Sequence, residues 1–177
     1  MSKFLPTARH LALASSLCGL ALTATAAPGF VECRNSQAVS FPGTIVDAAI
    51  ATPALSTLVD LVVAAGLAGP LSAPGDLTVF APTNEAFGKI PAPVLGAIGG
   101  DLDVLTAVLT YHVVPGAADP RALRPGKLTT LQGQTLVTGF ERGTGATVNQ
   151  SVADCTAVQT TNGTVWVIDS VMLPQFR

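Results

Sequence analysis

Charge is scarce in this chain. Asp, Glu, Lys and Arg make up 11% of its 177 residues, against about a quarter in an average soluble protein. The nine basic side chains are scattered, with no stripe or cluster. Nucleic acid and anionic lipid surfaces are therefore poor partners, since both need concentrated positive charge. Histidine occurs twice and cysteine three times. A zinc site needs three or four nitrogen, sulfur or carboxylate ligands, and these residues form no such grouping, so neither a metal nor a cofactor is expected. The chain has no calcium loop of D-x-D-x-D-G type and no G-x-S-x-G nucleophile elbow. Its apolar runs all fall short of the roughly 20 residues that span a bilayer as a helix. Seventeen glycines and thirteen prolines accompany the low charge, which points to a rigid surface rich in Ala, Gly, Pro and Thr.

What is present begins with an export signal. Lys3 and Arg9 give a basic start, and Leu11 to Leu22 is apolar apart from Ser15, Ser16 and Gly19. Ala24-Thr25-Ala26 then has the small-x-small form of a cleavage site. Residues 1–26 are expected to be removed. Cys18 lacks the small preceding residue of a lipid-anchored cysteine, and there is no twin-arginine pair. The mature chain keeps seven basic and eleven acidic side chains, a net charge near −4. It also keeps two cysteines, Cys33 and Cys155. In an oxidising compartment an even pair suggests a disulfide; the alternative is two separate thiols, one of them buried. A bridge would pin an N-terminal arm, residues 27–39, onto the domain that follows, residues 40–174, leaving 175–177 as a tail. Only Gln175-Phe176-Arg177 follow Pro174, so attachment to a surface is expected to be noncovalent.

The periodicity changes along the domain. Thr44 is placed to cap a short helix through Ile50. Thr52-Pro53 opens a second, with Leu55, Leu58, Val59, Val62 and Val63 on one stripe, Leu61 beside it and Gly66 as the stop. Leu77 to Ala81 is a buried strand ended by Pro82. Thr83 or Asn84 caps a short helix that carries Phe87 inward. Pro91 and Pro93 start another helix. Asp101 caps the next, which turns Leu102, Leu105 and Leu109 inward and runs into Tyr111-His112 and the strand Val113-Val114. From Lys127 the period falls to two, predicting strands near 127–132, 134–140, 145–149, 151–160 and 164–172. Asn162-Gly163 is the strongest hairpin signal, because both central residues of a type I′ turn need positive φ. Helices first and strands later give an α+β domain.

Three blocks carry a resemblance: Thr78-Val79-Phe80-Ala81-Pro82-Thr83-Asn84-Glu85-Ala86-Phe87, then Tyr111-His112, then Asn162-Gly163-Thr164-Val165-Trp166-Val167-Ile168-Asp169 through Pro174. In this order and spacing the chain resembles the fasciclin domain family over nearly all of its mature length. The resemblance implies a wedge of two small β-sheets with several helices on one side. It also implies non-catalytic adhesion outside the cell, to a cell surface, matrix, surface polysaccharide or partner protein. The expected location is secreted, in the extracellular space, at the cell surface or in the periplasm. The family's last block usually has histidine where this chain has Trp166, so no role is borrowed for that position.

For Tyr111 and His112, precedent in animal relatives suggests receptor contact. The residues themselves suggest a histidine that bonds main chain and fixes the helix-to-strand junction. Thr83, Asn84 and Phe87 are expected to act as cap and core anchor. Asp169 lies among Val167, Ile168 and Val171, where an unpaired carboxylate would be costly; it is expected to accept hydrogen bonds that join two elements. Asn149-Gln150-Ser151 and Asn162-Gly163-Thr164 also fit the N-glycosylation pattern. Two alternatives stand beside adhesion. One is binding of a small apolar ligand or exopolysaccharide, signalled by a sizeable apolar pocket near Trp166 or Tyr111, with a solid core counting against it. The other is an enzyme with a cryptic site at His112.

Overall fold

The computed structural model describes residues 29–176; the expected leader, residues 1–26, lies outside them. Helix α1 (Phe30–Asn35) and strand β1 (Val39–Ser40) come first. The arm is thus not aperiodic, as the sequence suggests. So short a helix does not persist alone, and α1 is held by contacts from distant parts of the chain. Helix α2 (Ile45–Ile50) follows, with Thr44 at its N-cap. The Thr44 hydroxyl accepts from Asp47 N, and the Asp47 carboxylate accepts from Thr44 N at 2.9 Å. This reciprocal pair satisfies two end groups at once.

A 3₁₀ turn, Pro53–Leu55, leads into α3 (Ser56–Ala64). Leu55, Leu58 and Val62 are buried and Leu61 packs beside them. Val63, placed inward by the sequence pattern, is 60% exposed. It lies one residue beyond Val62, about 100° further round the helix. Thr52 does not cap this helix with its side chain. Instead Asn84 reaches back: its Oδ1 accepts from Thr57 N at 2.9 Å and its Nδ2 donates to Pro53 O at 3.0 Å.

Helix α4 (Ala68–Ser72), strand β2 (Leu77–Pro82), and helices α5 (Asn84–Gly88), α6 (Ala92–Gly100) and α7 (Leu102–Tyr111) come next. The Asp101 Oδ1 caps α7 by accepting from Asp103 N and Val104 N. Helices α6 and α7 meet at 105°, and Leu102, expected to face inward, begins α7 at this bend and is 61% exposed. Among the described residues no single helix is long and apolar enough to cross a membrane.

The remaining strands are β3 (Val113–Pro115), β4 (Gly126–Thr129), β5 (Thr135–Glu141), β6 (Gly145–Val148), β7 (Ser151–Ala153), β8 (Val158–Thr160) and β9 (Gly163–Ile168). The stretch expected as one strand over 151–160 is two, separated where the chain turns to place Cys155. The expected pair of small sheets is corrected: the described strands form one nine-stranded sheet. Its continuity comes from β9. Along one edge β9 pairs in parallel with the whole of β2. Along the other it pairs with β8 at Val165 and with β7 at Ile168. One strand thereby joins what would otherwise be two sheets.

The alternation of β2 and β9 divides the interior in two. Val79, Ala81 and Val165 face a core built with α2, α3 and α5 to α7. Phe80, Trp166 and Ile168 face a second core with Leu136, Val148, Met172 and Cys33.

Candidate functional site

His112 ends α7 and is 2% exposed. The Met172 N–H donates to its Nε2 at 3.0 Å, so that nitrogen carries a lone pair and the proton is on Nδ1. Nδ1 lies 2.8 Å from the Val108 carbonyl and donates to it. The ring therefore clips the end of α7 to the C-terminal segment. Both its nitrogens are committed to main chain, which leaves no free lone pair to activate a nucleophile. Burial pushes the imidazole down to about 4, against the Val108 hydrogen bond, which favours the charged ring.

That depressed value has a stability consequence with a definite sign. The unfolded chain takes up a proton near pH 6.5, while the folded ring resists until about pH 4. The His112 contribution is complete above pH 6.5 and falls as pH drops through this window; the loss reaches about 3 kcal/mol at its lower end. Urea unfolding at pH 7, 6 and 5 is expected to show stability declining toward about 1.4 kcal/mol per pH unit below pH 6. In His112→Gln the slope over this range should vanish; an equal slope in the variant would contradict the assignment.

Tyr111 faces the other core. Its ring stands at 83° to that of His112 with centroids 6.5 Å apart, so the dipeptide makes two separate anchors. The Tyr111 hydroxyl accepts from Asn149 Nδ2 at 3.0 Å. Asn149 is the one non-glycine residue with positive φ among those described, at 52°.

Thr83 caps α5 by accepting from Ala86 N, and Phe87 is 5% exposed in the helical core. Asp169 is less buried than its neighbours suggest, with its side chain 46% exposed. Its Oδ1 accepts from Val152 N at 2.8 Å and from the Ser170 hydroxyl at 2.9 Å, and its Oδ2 meets Lys89 Nζ at 3.1 Å. Partial burial raises the carboxyl, but the hydrogen bonds from Val152, Lys89 and Ser170 outweigh it and hold it below the ordinary aspartate value. Asp169→Ala should lower the unfolding free energy by about 1–3 kcal/mol, read from chemical denaturation; an unchanged midpoint would contradict this. Pro174 is buried.

Asn162 departs from its expected turn role. It does not have positive φ and is 3% exposed. Its Oδ1 accepts from Ile45 N at 2.9 Å, and its Nδ2 donates to Leu71 O at 2.8 Å and Ala73 O at 3.0 Å. The side chain thus ties α2, α4 and the β8–β9 connection together. Gly163 is required beside it, because a Cβ there would overlap the Leu77 carbonyl. The amide nitrogens of Asn149 and Asn162 both donate intramolecular hydrogen bonds.

Cys33 and Cys155 are joined by a disulfide across 122 residues of sequence. Arg121, which sequence reasoning missed, completes that junction. Its Nη1 donates to Ser36 O at 2.9 Å and to Cys33 O and Cys155 O at 3.2 Å each. Nε and Nη2 hold Asp119, and the guanidinium lies 4.8 Å from the Trp166 ring centroid. Trp166 is 2% exposed and donates from Nε1 to Ala118 O at 3.0 Å. Its position, departing from the usual histidine, is an interior anchor.

Cavities follow the same division. Between α2, α3 and the sheet lies an apolar space of about 30 Å³, and a second of about 10 Å³ lies beneath α6 and α7. Small-molecule sites usually measure about 300–1,000 Å³. An open groove of about 470 Å³ lies beside Tyr111, Gln134, Thr135 and Gln175. Among the described residues no group of three His, Cys, Asp or Glu side chains could hold a metal ion.

Fold and site together define a scaffold whose interior polar groups bond its own main chain. A model of the fasciclin domain matches residues 53–174. The chain belongs to the fasciclin domain family. Protein sll1483 of Synechocystis sp. is 36% identical over 177 residues, covering 95% of this chain and 98% of that protein. The immunogenic protein MPB70 of Mycobacterium bovis is 44% identical over 101 residues, 56% of this chain and 51% of MPB70. The cell surface glycolipoprotein MPB83 of the same species is 42% identical over 100 residues, 56% of this chain and 44% of MPB83. The match spans about half the length of these two mycobacterial relatives. Among solved structures, a FAS1 domain pair from the insect cell adhesion molecule fasciclin I is similar at TM-score 0.47 and 19% identity, over 67% of this chain and 45% of that one.

Proposed function

We propose that this chain is an exported, non-catalytic binding module that attaches to a cell surface, matrix or partner protein through its outer loops and grooves. The observation that carries this reading is the commitment of its interior chemistry to architecture. His112, Asn162, Trp166 and Arg121 all bond main chain. Among the described residues no buried side-chain nitrogen or oxygen is without a partner. Such groups are engaged in holding shape. Recognition then falls to the surface, which is poor in charge and suits short-range contact better than electrostatic steering. Family membership and the cell-surface relative MPB83 support the same assignment. Residues 1–26 serve as the leader that delivers the module outside.

The test is saturable retention. The folded chain is immobilised and exposed to cell-envelope fractions and defined polysaccharides, with the heat-denatured chain as control. Retention on the folded surface, competed by the soluble chain and absent from the control, is expected. Equal retention on both surfaces, or chemical conversion of a retained component, would overturn the reading.

A further inference from the structure

We propose that the groove beside Tyr111 is a binding subsite for a neutral polysaccharide. This rests on the reading of the chain as a binding module and names the chemistry of its partner. The groove, about 470 Å³ in volume, is lined by Tyr111, Gln134, Thr135 and Gln175. Each of these side chains ends in a hydroxyl or an amide, groups that both donate and accept and carry no charge at neutral pH. That set matches a ligand with many hydroxyls and no charge. An anionic polymer would call for Arg or Lys, and among the described residues none lines the groove. An apolar ligand would strand the amides and hydroxyls it covered.

The groove is held in shape from within. Gln134 Nε2 donates to Gln175 O at 2.8 Å, and Gln134 Oε1 accepts from Gln175 N at 2.9 Å. One amide fixes the C-terminal segment as a wall and keeps a proton and a lone pair for a ligand. The Tyr111 phenol is 6% exposed. Its own proton meets Thr135 O only at 3.5 Å, the far end of hydrogen-bond range. A sugar hydroxyl at the groove floor would be a better acceptor.

Tyr111 is the sole tyrosine of the chain, so the ring signals of a tyrosine-labelled sample report from this groove alone. The chain is titrated by NMR with neutral gluco-, manno- and galacto-oligosaccharides, and separately with an anionic alginate oligosaccharide. A saturable shift of the Tyr111 ring with at least one neutral series is expected, with no comparable shift from the alginate. Tyr111→Phe and Gln175→Ala should each weaken binding roughly 5-fold or more. Gln175 is exposed and holds the wall through its main chain, so its variant remains informative if Tyr111→Phe fails to fold. A ring silent to every neutral series at millimolar concentration, an equal response to alginate, or binding unchanged in both variants would overturn the proposal. If the ring is silent while envelope fractions are still retained, the glycan assignment alone falls. Loss of both would remove the wider reading as well.

Discussion

Replacing Cys33 and Cys155 together by alanine is expected to lower the melting temperature by roughly 10 °C, through a loss of about 3–5 kcal/mol. The bridge closes 122 residues of sequence, and a loop of that size removes much freedom from the unfolded chain; the chain-entropy model puts this at about 4–5 kcal/mol. Part of the effect is offset because the arm has other attachments. Arg121 holds the carbonyls of Cys33 and Ser36, Phe30 stacks edge-on against Phe140 at 5.1 Å, and β1 pairs with β8. Cys33 itself is 0% exposed within the second core, so its loss also leaves a small void. The variant should therefore stay folded at room temperature and melt early. A melting temperature unchanged within error would contradict this. So would alkylation of both cysteines in the exported protein without reductant.

Asn162→Ala is the second large effect, expected to cost about 3–5 kcal/mol. The substitution strands the buried Ile45 N–H and Leu71 carbonyl and removes a part-buried bond to the Ala73 carbonyl, and unpaired buried groups cost about 1–3 kcal/mol each. Glycine at this position separates the two roles the residue could have. If Asn162 served a type I′ turn, Asn162→Gly would be nearly neutral, since glycine adopts positive φ freely. As a bridge it is irreplaceable by glycine, and Asn162→Gly should be as damaging as alanine. Urea midpoints of the two variants decide the matter; a glycine variant within about 0.5 kcal/mol of the parent would contradict the bridging role.

Asn162 also shows where sequence reasoning stops. The dipeptide Asn-Gly signals a two-residue connection, and one exists between β8 and β9, but its residues are Thr161 and Asn162, because Thr160 pairs with Gly163. The signal was local, however, and the partners of the side chain lie 91 and 117 residues away. Arg121 was illegible for the same reason. Its acceptors are main-chain carbonyls, which have no sequence signature, and three distant segments supply them. The sequence offers Asn84 as a cap for α5, but Asn84 is the first residue of that helix and its side chain serves the start of α3 instead.

Local patterns fared better where the physics is local. The caps at Thr44, Thr83 and Asp101 and the strand from Leu77 follow from residue types within one turn or one strand. The continuity of the sheet did not, because it depends on β9 accepting three neighbours at once. Of the candidate site, His112 and Asn162 could be named in advance. The groove beside Tyr111 could not, since Gln134 and Gln175 become neighbours only when the chain end folds back.

The idea that the interior serves structure meets its most direct test in the imidazole of His112. Nitrogen-15 NMR of the folded protein should show this ring neutral at pH 6, protonated on Nδ1 alone, and titrating only near pH 4. A ring that exchanges between tautomers and takes up its proton near pH 6.5 would mean an open, unoccupied base, and would contradict the account.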